Sequence, residues 1–343
     1  MKAPKVLLTG YYGFGNFGDD IFVYVMSREI EEILGGKRVT ILSKPIPGVS
    51  SDFAVPSWFP DSIYRNAGLL GAVVRMIFTF FAILKIDILV NAGGSVFEVD
   101  SGSRMPRFLA LMKRYLKFRW FAIGVSIPAK LKSEKKLIEV LSKVDAILLR
   151  DGRSTLNMKD ASLSNCNYSG DLAALLYSDF GSSFFERESH DFDLMISASN
   201  HIPIEKMLVD IKELIGNSDI KKCCVLSLNP LDYSINTAIV SELRSLGVFV
   251  EYYQHKSISA TCEFIVRSKY IVTSRLHGAI FSYVANRPFF LYPHHEKCRA
   301  FLEDIDVDIP SLERIEFQKT ESNNYIEWCD SSVKWFLDKY ISN

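Results

Sequence analysis

Short apolar runs alternate along the chain with longer segments in which apolar residues recur at helical spacing. In the first half, for example, the apolar positions Ile21, Val25 and Ile30, with Ile33, suggest a helix. The predicted strands of this half are Lys5–Thr9, Arg38–Leu42, Ile86–Asn91, Phe121–Ser126 and Ala146–Leu149. Strands that alternate with helices in this way predict a parallel, doubly wound sheet.

A second series of the same kind follows the polar segment Asp179–Asp191, which we interpret as a linker. Its predicted strands are Asp193–Ser197, Cys223–Leu228, Val248–Tyr253, Tyr270–Thr273 and Phe289–Tyr292. Its predicted helices are Ile204–Ile215, Ile235–Leu246, Ser259–Ser268 and His295–Glu303. Because glycine-rich turns follow strands in both halves, we predict two α/β domains, residues 1–178 and 192–320, facing each other across a cleft. A C-terminal helix is expected within residues 321–343.

Composition narrows the classes of protein to consider. The chain has 343 residues, 48% of them apolar, which is enough for two domains with cores of their own. Lys plus Arg and Asp plus Glu are both 40, and this neutral balance argues against a general nucleic-acid binder. Six cysteines without C-x-x-C spacing predict neither a zinc cluster nor a disulfide framework. Because the start also lacks a signal-peptide pattern, we expect a cytoplasmic protein.

Two segments bear on contact with membranes. Ala67–Leu84 is strongly apolar, but Arg75 interrupts it and Lys85 closes it, so it lacks the about 20 uncharged residues that span a bilayer. We predict a packed helix there. Arg104–Trp120 mixes basic and apolar residues and predicts a basic amphipathic helix. Its basic face is either solvated or a contact for anionic lipid or a diphosphate, and both interpretations stay open.

The first predicted strand runs into a glycine-rich loop. Gly13, Gly15 and Gly18 spell G-x-G-x-x-G, but the loop is long and aromatic. It lacks the G-K-[ST] of a phosphate-binding loop, and no acidic residue follows the next strand at the ribose-binding position. Asp19 and Asp20 begin the following helix. They either cap that helix or serve as hydrogen-bonding or basic groups for a sugar.

A second junction lies between the predicted strand Tyr270–Thr273 and the helix after it. Arg275 and His277 stand there, within S-R-L-H-G. Ligands of open α/β sheets bind at the carboxyl ends of strands, and a helix N-terminus offers N–H groups to an anion. The alternative is a buried arginine paired with a carboxylate and a histidine satisfied in the core.

The sequence resembles the polysaccharide pyruvyl transferase family over nearly its whole length. The motifs that carry the resemblance are Gly15-Asn16-Phe17-Gly18-Asp19, Gly93-Gly94-Ser95, Gly124–Pro128, Arg150-Asp151 with Ser154, Gly170-Asp171-Leu172 and Ser274-Arg275-Leu276-His277-Gly278. Lys297 lies where the family often has a lysine. In two departures, Ala92 replaces the first of three glycines, and Ser126-Ile127-Pro128 lacks the glycine usual before the proline.

The resemblance implies a GT-B-like pair of Rossmann-like domains. It also implies transfer of pyruvate from phosphoenolpyruvate onto two hydroxyls of one sugar, giving a cyclic ketal and phosphate. The acceptor would be a glycan or its lipid-linked precursor on the first domain, with phosphoenolpyruvate on the second. Phosphoenolpyruvate is a donor substrate here, and we expect no cofactor and no metal. Such an enzyme would be cytoplasmic and could contact the inner membrane surface peripherally.

The family's R-L-H motif carries over to Arg275, Leu276 and His277 and is important for activity. We hypothesise that Arg275 pairs a planar oxyanion, since a guanidinium can do so bidentately, and that Lys297 pairs a phosphate. His277 is our candidate general acid, with His294 and His295 as alternatives. Asp19 or Asp171 would take the proton of the sugar hydroxyl. The residues predicted to bind substrate are Gly15, Asn16, Gly18, Gly93, Gly94, Ser95, Arg150, Leu276, Gly278, His294, His295 and Lys297.

Two other functions are compatible with the same pattern. A nucleotide-sugar glycosyltransferase would share the architecture, because fold does not decide function. Retaining members often carry two glutamates eight positions apart, whereas Glu296 and Glu303 are seven apart. A non-catalytic sugar- or lipid-binding protein would bind glycan and release no phosphate.

Overall fold

The computed structural model describes residues 3–66, 68–97, 104–185, 190–310, 315–318 and 323–342. Its contacts divide the chain into two compact units. The first comprises Met1–Phe14, Asp19–Leu172 and Trp328–Asn343, and the second comprises Gly15–Gly18 and Ala173–Glu327. The short segment Gly15–Gly18 therefore groups with the C-terminal half of the chain, although it lies near the start.

The first unit is built on a seven-stranded sheet. Its strands are β1 (Val6–Thr9), β2 (Thr40–Ile41), β3 (Asp52–Phe53), β4 (Ile88–Gly94), β5 (Arg119–Val125), β6 (Ala146–Leu149) and β7 (Cys166–Tyr168). They pair in the order β3-β2-β1-β4-β5-β6-β7, and every pair is parallel. The central strands are buried almost throughout, as expected when helices cover both faces of a parallel sheet.

Six helices connect these strands: α1 (Phe17–Ile33), α2 (Asp61–Tyr64), α3 (Leu69–Ile83), α4 (Arg104–Tyr115), α5 (Lys135–Leu141) and α6 (Gly152–Asp160). Short 3₁₀ turns lie at Leu131–Ser133 and Leu172–Leu175. Leu89, Trp120 and Ile147 are fully buried members of the core between sheet and helices.

The second unit contains a five-stranded parallel sheet. Its strands are β8 (Phe192–Ser197), β9 (Lys222–Ser227), β10 (Phe249–Gln254), β11 (Ser268–Thr273) and β12 (Phe289–Leu291), in the order β10-β9-β8-β11-β12. Its helices are α7 (Leu176–Phe180), α8 (Ser182–Phe185), α9 (Ile204–Gly216), α10 (Tyr233–Ser245), α11 (Ile258–Val266), α12 (Leu276–Val284) and α13 (Glu296–Asp304), with a 3₁₀ turn at Pro230–Asp232. The predicted fold class, two parallel sheets with alternating helices, is confirmed.

The last helix, α14 (Asn323–Tyr340), contributes its residues from Trp328 onward to the first unit. There, Phe336 meets Phe121 of β5 edge-on, with 6.0 Å between ring centroids. Trp328 lies 4.4 Å from the ring of Tyr168 in β7. The predicted domain boundary at residues 320 and 321 lies outside the described residues.

The basic helix is shorter than predicted. α4 ends at Tyr115, and Arg119 and Trp120 already belong to β5. Trp120 is fully buried, and its Nε1 donates to Oδ1 of Asn91 at 2.6 Å. Burial in the sheet therefore overrides the helical spacing of the sequence. Two cations of this helix pair with carboxylates of the same unit: Lys113 pairs with Asp145, and Arg114 pairs with Glu139.

The turn predicted after Asn91 is part of β4, which pairs with β5 as far as Gly94. Gly93 and Gly94 have φ of 70° and 78°, so the strand ends in left-handed backbone that glycine adopts without strain. A Cβ on Gly93 would also overlap the ring of Phe22. The neighbouring Ala92 uses its backbone N–H and C=O to bond the hydroxyl of Tyr12, at 3.2 and 2.6 Å.

The segment predicted as a linker carries structure. It begins inside α7 and includes α8, and Phe180 of α7 stacks on Phe184 of α8 with 4.6 Å between ring centroids. Phe185 packs on Phe281 of α12 at 5.7 Å. Aromatic burial therefore ties this part of the segment to the second unit. Residues 186–189 of the prediction lie outside the described residues.

The apolar segment forms α3, but it is packed on one side only: Gly71, Thr79 and Ile83 are buried, whereas other apolar side chains of the helix are exposed. Ala67 lies outside the described residues. Within the described part of the chain, no helix has the length and apolar content of a membrane-spanning segment.

Candidate active site

Strands β8 and β11 end side by side in the second sheet, and short hydroxyl side chains fix the turns after them. Thr273 Oγ1 donates to the carbonyl of Ser197 at 3.2 Å and accepts from the backbone N–H of Arg275 at 3.0 Å. Ser274 Oγ accepts from the N–H of Ser199 at 2.6 Å. These bonds hold Arg275 in extended backbone directly before α12.

The guanidinium of Arg275 binds the carboxylate of Asp232 bidentately. Nε donates to Oδ2 at 2.7 Å, and Nη2 donates to Oδ1. Asp232 is fully buried, whereas 19% of the Arg275 side chain is exposed. The pair fixes the orientation of the guanidinium and leaves Nη1 outside it. Arg275 is therefore paired with a carboxylate, as the alternative interpretation of the sequence expected, but its side chain is still partly exposed.

Asp232 is held in place from the end of β8. Its Oδ1 accepts from the N–H of Asn200 at 3.2 Å, and its carbonyl accepts from Asn236 Nδ2 at 3.0 Å. The same Asn236 side chain bonds both backbone groups of Ala198, each at 3.0 Å. Asp232 and Asn236 together connect the turns after β8, β9 and β11, so the Arg275 guanidinium is positioned by three strands.

His277 lies in the first turn of α12, and its imidazole packs on Gly18. A Cβ on Gly18 would overlap the ring at Nδ1. Gly18 is absent from the glycines with left-handed φ, so glycine is required here for space and not for backbone conformation. The glycine-rich loop and the R-L-H motif thus meet in the second unit.

Phe17 anchors the glycine-rich loop beside His277. Its backbone N–H donates to the carbonyl of Leu228 at 2.9 Å, and its ring is fully buried. It meets His255 at 5.3 Å and Phe281 at 6.3 Å between centroids, both edge-on. Gly15 follows the same surface, because a Cβ there would lie 3.3 Å from Pro230 Cγ. Asn16, between them, is half-buried.

Several cationic or imidazole groups gather near Arg275. The pKa of His294 is lowered, first by its partial burial and then by the charges of His201, Lys297 and Arg275. Its backbone N–H and Nδ1 lie 2.9 and 3.1 Å from the carbonyl of Tyr292. Arg299, one turn further, donates to the carbonyl of Pro293 at 3.0 Å. This end of the sheet is therefore electropositive.

The other predicted residues of this unit have structural tasks as well. His295 caps α13, because its Nδ1 accepts from the N–H of Lys297 at 3.3 Å. Leu276 is buried at the start of α12. A Cβ on Gly278 would lie 2.7 Å from Thr273 Oγ1, so glycine lets α12 approach β11 closely.

A second group of predicted residues lies in the first unit, at the carboxyl ends of β4, β5 and β6. Gly94 lies next to Asp19, whose Oδ1 would be 3.6 Å from a Cβ on Gly94. The carbonyl of Gly94 accepts from the N–H of Ser126 at 3.1 Å, and Ser126 Oγ donates to Asp151 at 2.7 Å. Asp19 and Ser95 are half-buried.

Arg150 follows β6 and lies between two carboxylates. Its Nε is 3.6 Å from Asp171 and 3.8 Å from Asp151, and all three side chains are less than one-tenth exposed. Asp151 also caps α6 by accepting from the N–H of Ser154 at 2.7 Å. Among the described residues, Arg150 Nη2 has no hydrogen-bond partner. Asp151 thus both approaches Arg150 and caps α6.

Sequence reasoning missed two residues of the second unit, Asp232 and His201. Asp232 ends the run Asn229-Pro230-Leu231-Asp232 just after β9, and Asn229 caps that turn by accepting from Leu231 N–H at 2.9 Å. An asparagine followed by proline after a strand is a signal for such a turn. Nothing local distinguishes His201, which lies in the loop after β8.

Comparison with solved structures identifies the fold. A structure of S. aureus MnaA with UDP matches with a TM-score of 0.60 at 10% identity, covering 99% of this chain and 90% of that one. UDP-GlcNAc 2-epimerase of Methanocaldococcus jannaschii, with UDP-GlcNAc and UDP, matches with a TM-score of 0.57 at 10% identity, covering 98% of this chain and 100% of that one. The UDP-GlcNAc 2-epimerase of Neisseria meningitidis matches with a TM-score of 0.57 at 13% identity, covering 98% of this chain and 92% of that one. At these identities the similarity shows the fold alone, which is GT-B-like as predicted.

A search of curated protein sequences finds no match. The family model described as polysaccharide pyruvyl transferase matches residues 16–296. This range contains the glycine-rich loop from Asn16 onward, the Arg150 and Asp171 motifs and the R-L-H motif, and it covers well over half of the chain. The chain belongs to the polysaccharide pyruvyl transferase family.

Proposed function

We propose that the protein transfers pyruvate from phosphoenolpyruvate to two hydroxyls of one sugar. One hydroxyl proton ends on the methyl group that forms from the vinyl carbon, and the other leaves with phosphate. Both sugar oxygens become bonded to the former enol carbon, and its bond to the phosphate oxygen breaks. The products are a cyclic ketal and inorganic phosphate.

The observation that carries the proposal is the electropositive end of the second sheet. Arg275, His294, Lys297 and His201 lie close enough for the charges of the others to lower the pKa of His294. Phosphoenolpyruvate brings a carboxylate and a phosphate, and burying these charges is costly unless cations pair with them. We assign the carboxylate to Arg275, because Asp232 fixes the direction of its guanidinium, and the phosphate to Lys297.

His277 remains our candidate general acid for the vinyl carbon. It is half-buried, and Gly18 supports its ring, which limits the positions that the imidazole can take. A positioned acid of this kind contributes roughly 10²–10⁴-fold to the rate. His294 is the better of the two alternatives, because it lies close enough to Arg275 for that charge to lower its pKa, whereas His295 caps α13.

The proton of the attacking hydroxyl needs a carboxylate, and Asp19 suits this role better than Asp171. Asp19 is half-buried, whereas Asp171 is 2% exposed and lies beside Arg150. A carboxylate paired with arginine holds its proton less readily, so it is a weaker base. We therefore propose Asp19 as the base, with Gly93, Gly94 and Ser95 on the acceptor side and Arg150 bonding a sugar oxygen.

The acceptor that we propose is a lipid-linked glycan precursor, used at the cytoplasmic face of a membrane. This assignment rests on the family resemblance, which implies a glycan or its lipid-linked precursor as the acceptor. The relatives of known structure with UDP or UDP-GlcNAc suggest one rival, in which the donor is a nucleotide sugar.

Phosphate release and calorimetry test the proposal together. The purified protein is incubated with phosphoenolpyruvate and a panel of lipid-linked sugars, and phosphate is measured. In parallel, phosphoenolpyruvate, UDP and UDP-GlcNAc are titrated into the protein. We expect phosphate release with at least one acceptor and heat of binding with phosphoenolpyruvate. Binding of UDP-GlcNAc without phosphoenolpyruvate binding would favour the glycosyltransferase, and glycan binding without phosphate release would favour a binding protein.

A further inference from the structure

Helix α3 presents an apolar face to the surface of the first unit. Leu69, Leu70, Val73, Ile77, Phe80, Phe81 and Leu84 are 38 to 71% exposed. At 100° per residue, these seven positions fall within about 120° of the helix circumference. Single exposed apolar residues need no explanation, but a contiguous apolar face on a soluble unit indicates an interaction surface.

The opposite face of α3 is the one that the fold uses. Gly71, Thr79 and Ile83 are buried, and Arg75 donates to the carbonyl of Tyr64 at 2.7 Å. Thr79 Oγ1 also contacts Sδ of Met105 in α4 at 3.7 Å. The helix is therefore anchored through one side, and its exposed apolar side is not required for that anchoring.

The surroundings of this face are basic. Lys85 follows α3 and is exposed, and Arg65, which precedes α3, is exposed and lies 3.7 Å from Asp61. The neighbouring α4 exposes Arg104 and Arg107 together with Leu111 and Tyr115, and its exposed Arg114 pairs with Glu139 at 3.1 Å. Neither helix contains an acidic residue.

From this pattern we infer that the exposed face of α3, with the basic surface of α4, docks onto an anionic lipid bilayer. Apolar side chains enter the boundary between headgroups and acyl chains, and Arg104 and Arg107 pair with anionic headgroups. From Leu69 to Leu84 the helix rises about 22 Å, shorter than the ~30 Å hydrocarbon core, so it lies along the surface.

A second copy of the chain is the other occupant to consider. In a two-fold symmetric dimer the same surface meets itself, so the basic residues around α3 and α4 would face one another. Like charges in that arrangement repel, whereas a bilayer of anionic lipid neutralises them. The charges therefore favour the membrane. The inference accords with a lipid-linked acceptor but does not depend on the transfer reaction.

Vesicle sedimentation of the full chain tests the inference. The protein is mixed with vesicles of phosphatidylglycerol and phosphatidylethanolamine, or of phosphatidylcholine alone, without donor or acceptor. The variant Ile77→Glu/Phe81→Glu places two charges on the exposed face of α3. The matched control, Leu156→Glu/Val209→Glu, places two charges at isolated exposed apolar residues of α6 and α9.

We expect the wild type to bind the anionic vesicles, and the α3 variant to lose roughly tenfold or more of its partition coefficient. The control variant should bind like the wild type. Arg104→Glu/Arg107→Glu should weaken binding to anionic vesicles only, and added salt should do the same to the wild type. Circular dichroism melting confirms that each variant is folded.

Results of two kinds overturn the inference, either in the vesicle assay or in light scattering. One is that the wild type binds neither kind of vesicle, or that the α3 variant binds as well as the control. The other is a wild-type dimer in light scattering that the α3 variant loses, without vesicle binding, since the face would then be an interface between copies. Because the vesicle assay contains no substrate, neither result bears on the proposed transfer reaction. Conversely, a protein that binds vesicles but transfers no pyruvate would contradict the proposed function and not this inference.

Discussion

Each unit of the molecule places an arginine within two residues of the end of a strand, and the two arginines have different surroundings. Arg150, after β6, is 4% exposed and lies between the carboxylates of Asp151 and Asp171 at 3.8 and 3.6 Å. Arg275, after β11, is 19% exposed and forms a bidentate pair with one carboxylate, Asp232. One positive and two negative groups leave the Arg150 cluster acidic, whereas the Arg275 pair is neutral.

The charges around each pair extend the difference. In the second unit, Lys297, His294 and His201 add positive or titratable groups near Arg275. In the first unit, Asp19 lies beside Gly94, whose carbonyl bonds Ser126, the partner of Asp151. The basic groups around Arg275 in the second unit suit an anionic donor. The carboxylates around Arg150 in the first unit suit hydroxyl groups that must lose protons. The same residue type at the same point of a fold thus takes its task from the carboxylates around it.

Replacing His277 with alanine should have the largest effect. If the chemistry belongs to the Arg275 side, phosphate release from phosphoenolpyruvate falls roughly 10²–10⁴-fold, the contribution of a general acid. Because His277 is half-buried at the start of a helix, the fold should persist. Stopped assays for phosphate and thermal melting measure the two effects.

An active His277→Ala variant would remove this residue from the mechanism. In that case His294→Ala, measured in the same way, identifies whether the alternative acid carries the reaction.

Replacing the carboxylates separately tests the comparison itself. Asp232→Asn leaves Arg275 without a carboxylate among the described residues, which for a largely buried pair costs about 3 kcal/mol of unfolding free energy. Asp171→Asn leaves Arg150 with Asp151, so the loss should be smaller. Urea unfolding of both variants gives the two free energies.

The donor provides an independent readout for the same pair of variants. Asp232→Asn should also weaken phosphoenolpyruvate binding, because the guanidinium loses its fixed direction, whereas Asp171→Asn should leave it unchanged. Equal losses of stability and of donor affinity in both variants would mean that the two pairs are equivalent.

The contact between Gly18 and His277 is tested by adding one methyl group. Gly18→Ala places a Cβ where the imidazole lies, so we expect overpacking of about 2 kcal/mol and slower turnover. Gly216→Ala is the matched control: it also lies in a helix, and a Cβ there meets nothing within 4 Å. The Gly216→Ala control should keep full turnover and stability. If Gly18→Ala behaves like this control, the imidazole of His277 is not held in place by Gly18.

Arg275→Lys separates charge from geometry. Lysine keeps the positive charge but cannot form the bidentate pair, so the KM for phosphoenolpyruvate should rise about tenfold with a smaller change in kcat. Arg150→Lys should leave the donor KM unchanged, because we assign Arg150 to the acceptor side. A donor KM that responds equally to both changes would contradict that assignment.

Much of this architecture follows from sequence pattern. All five strands of the second sheet and four of its helices, α9, α10, α11 and α13, lie within two residues of the predicted starts and ends, because short apolar runs and helical spacing alternate clearly there. In the first unit, Trp120 fits a helical pattern but lies in β5, where its burial and its bond to Asn91 decide the structure. Strand β7, Cys166–Tyr168, has too few apolar residues to be predicted.

The site divides in the same way. Arg275 and His277 stand out because they follow a strand and begin a helix. Asp232 could not be assigned to Arg275 from sequence, since the two are 43 residues apart and meet only because β9 and β11 flank β8 in the sheet. Likewise, nothing in the sequence indicates that Gly18 supports His277.

The smallest effect concerns the pH dependence of donor binding. Burial and the charges of His201, Lys297 and Arg275 lower the pKa of His294 below its usual value near 6.5, so the free protein keeps this imidazole neutral at pH 7. A bound phosphate would favour the imidazolium, and binding would then take up a proton. Donor affinity should therefore rise as pH falls from 8 to 6. His294→Gln should reduce that rise by roughly threefold, a modest effect because the side chain is partly exposed.

Calorimetry in buffers of different ionisation enthalpy measures the protons taken up on binding. The stability of the free protein should change in the opposite sense, because the unfolded chain protonates this histidine first as pH falls below about 6.5 and the folded state loses stability. His190, whose pKa is also lowered, contributes to that second trend, so its own glutamine variant is the control. If His294→Gln leaves the proton uptake unchanged, the donor phosphate does not bind beside His294, and the electropositive end of the second sheet serves another anion.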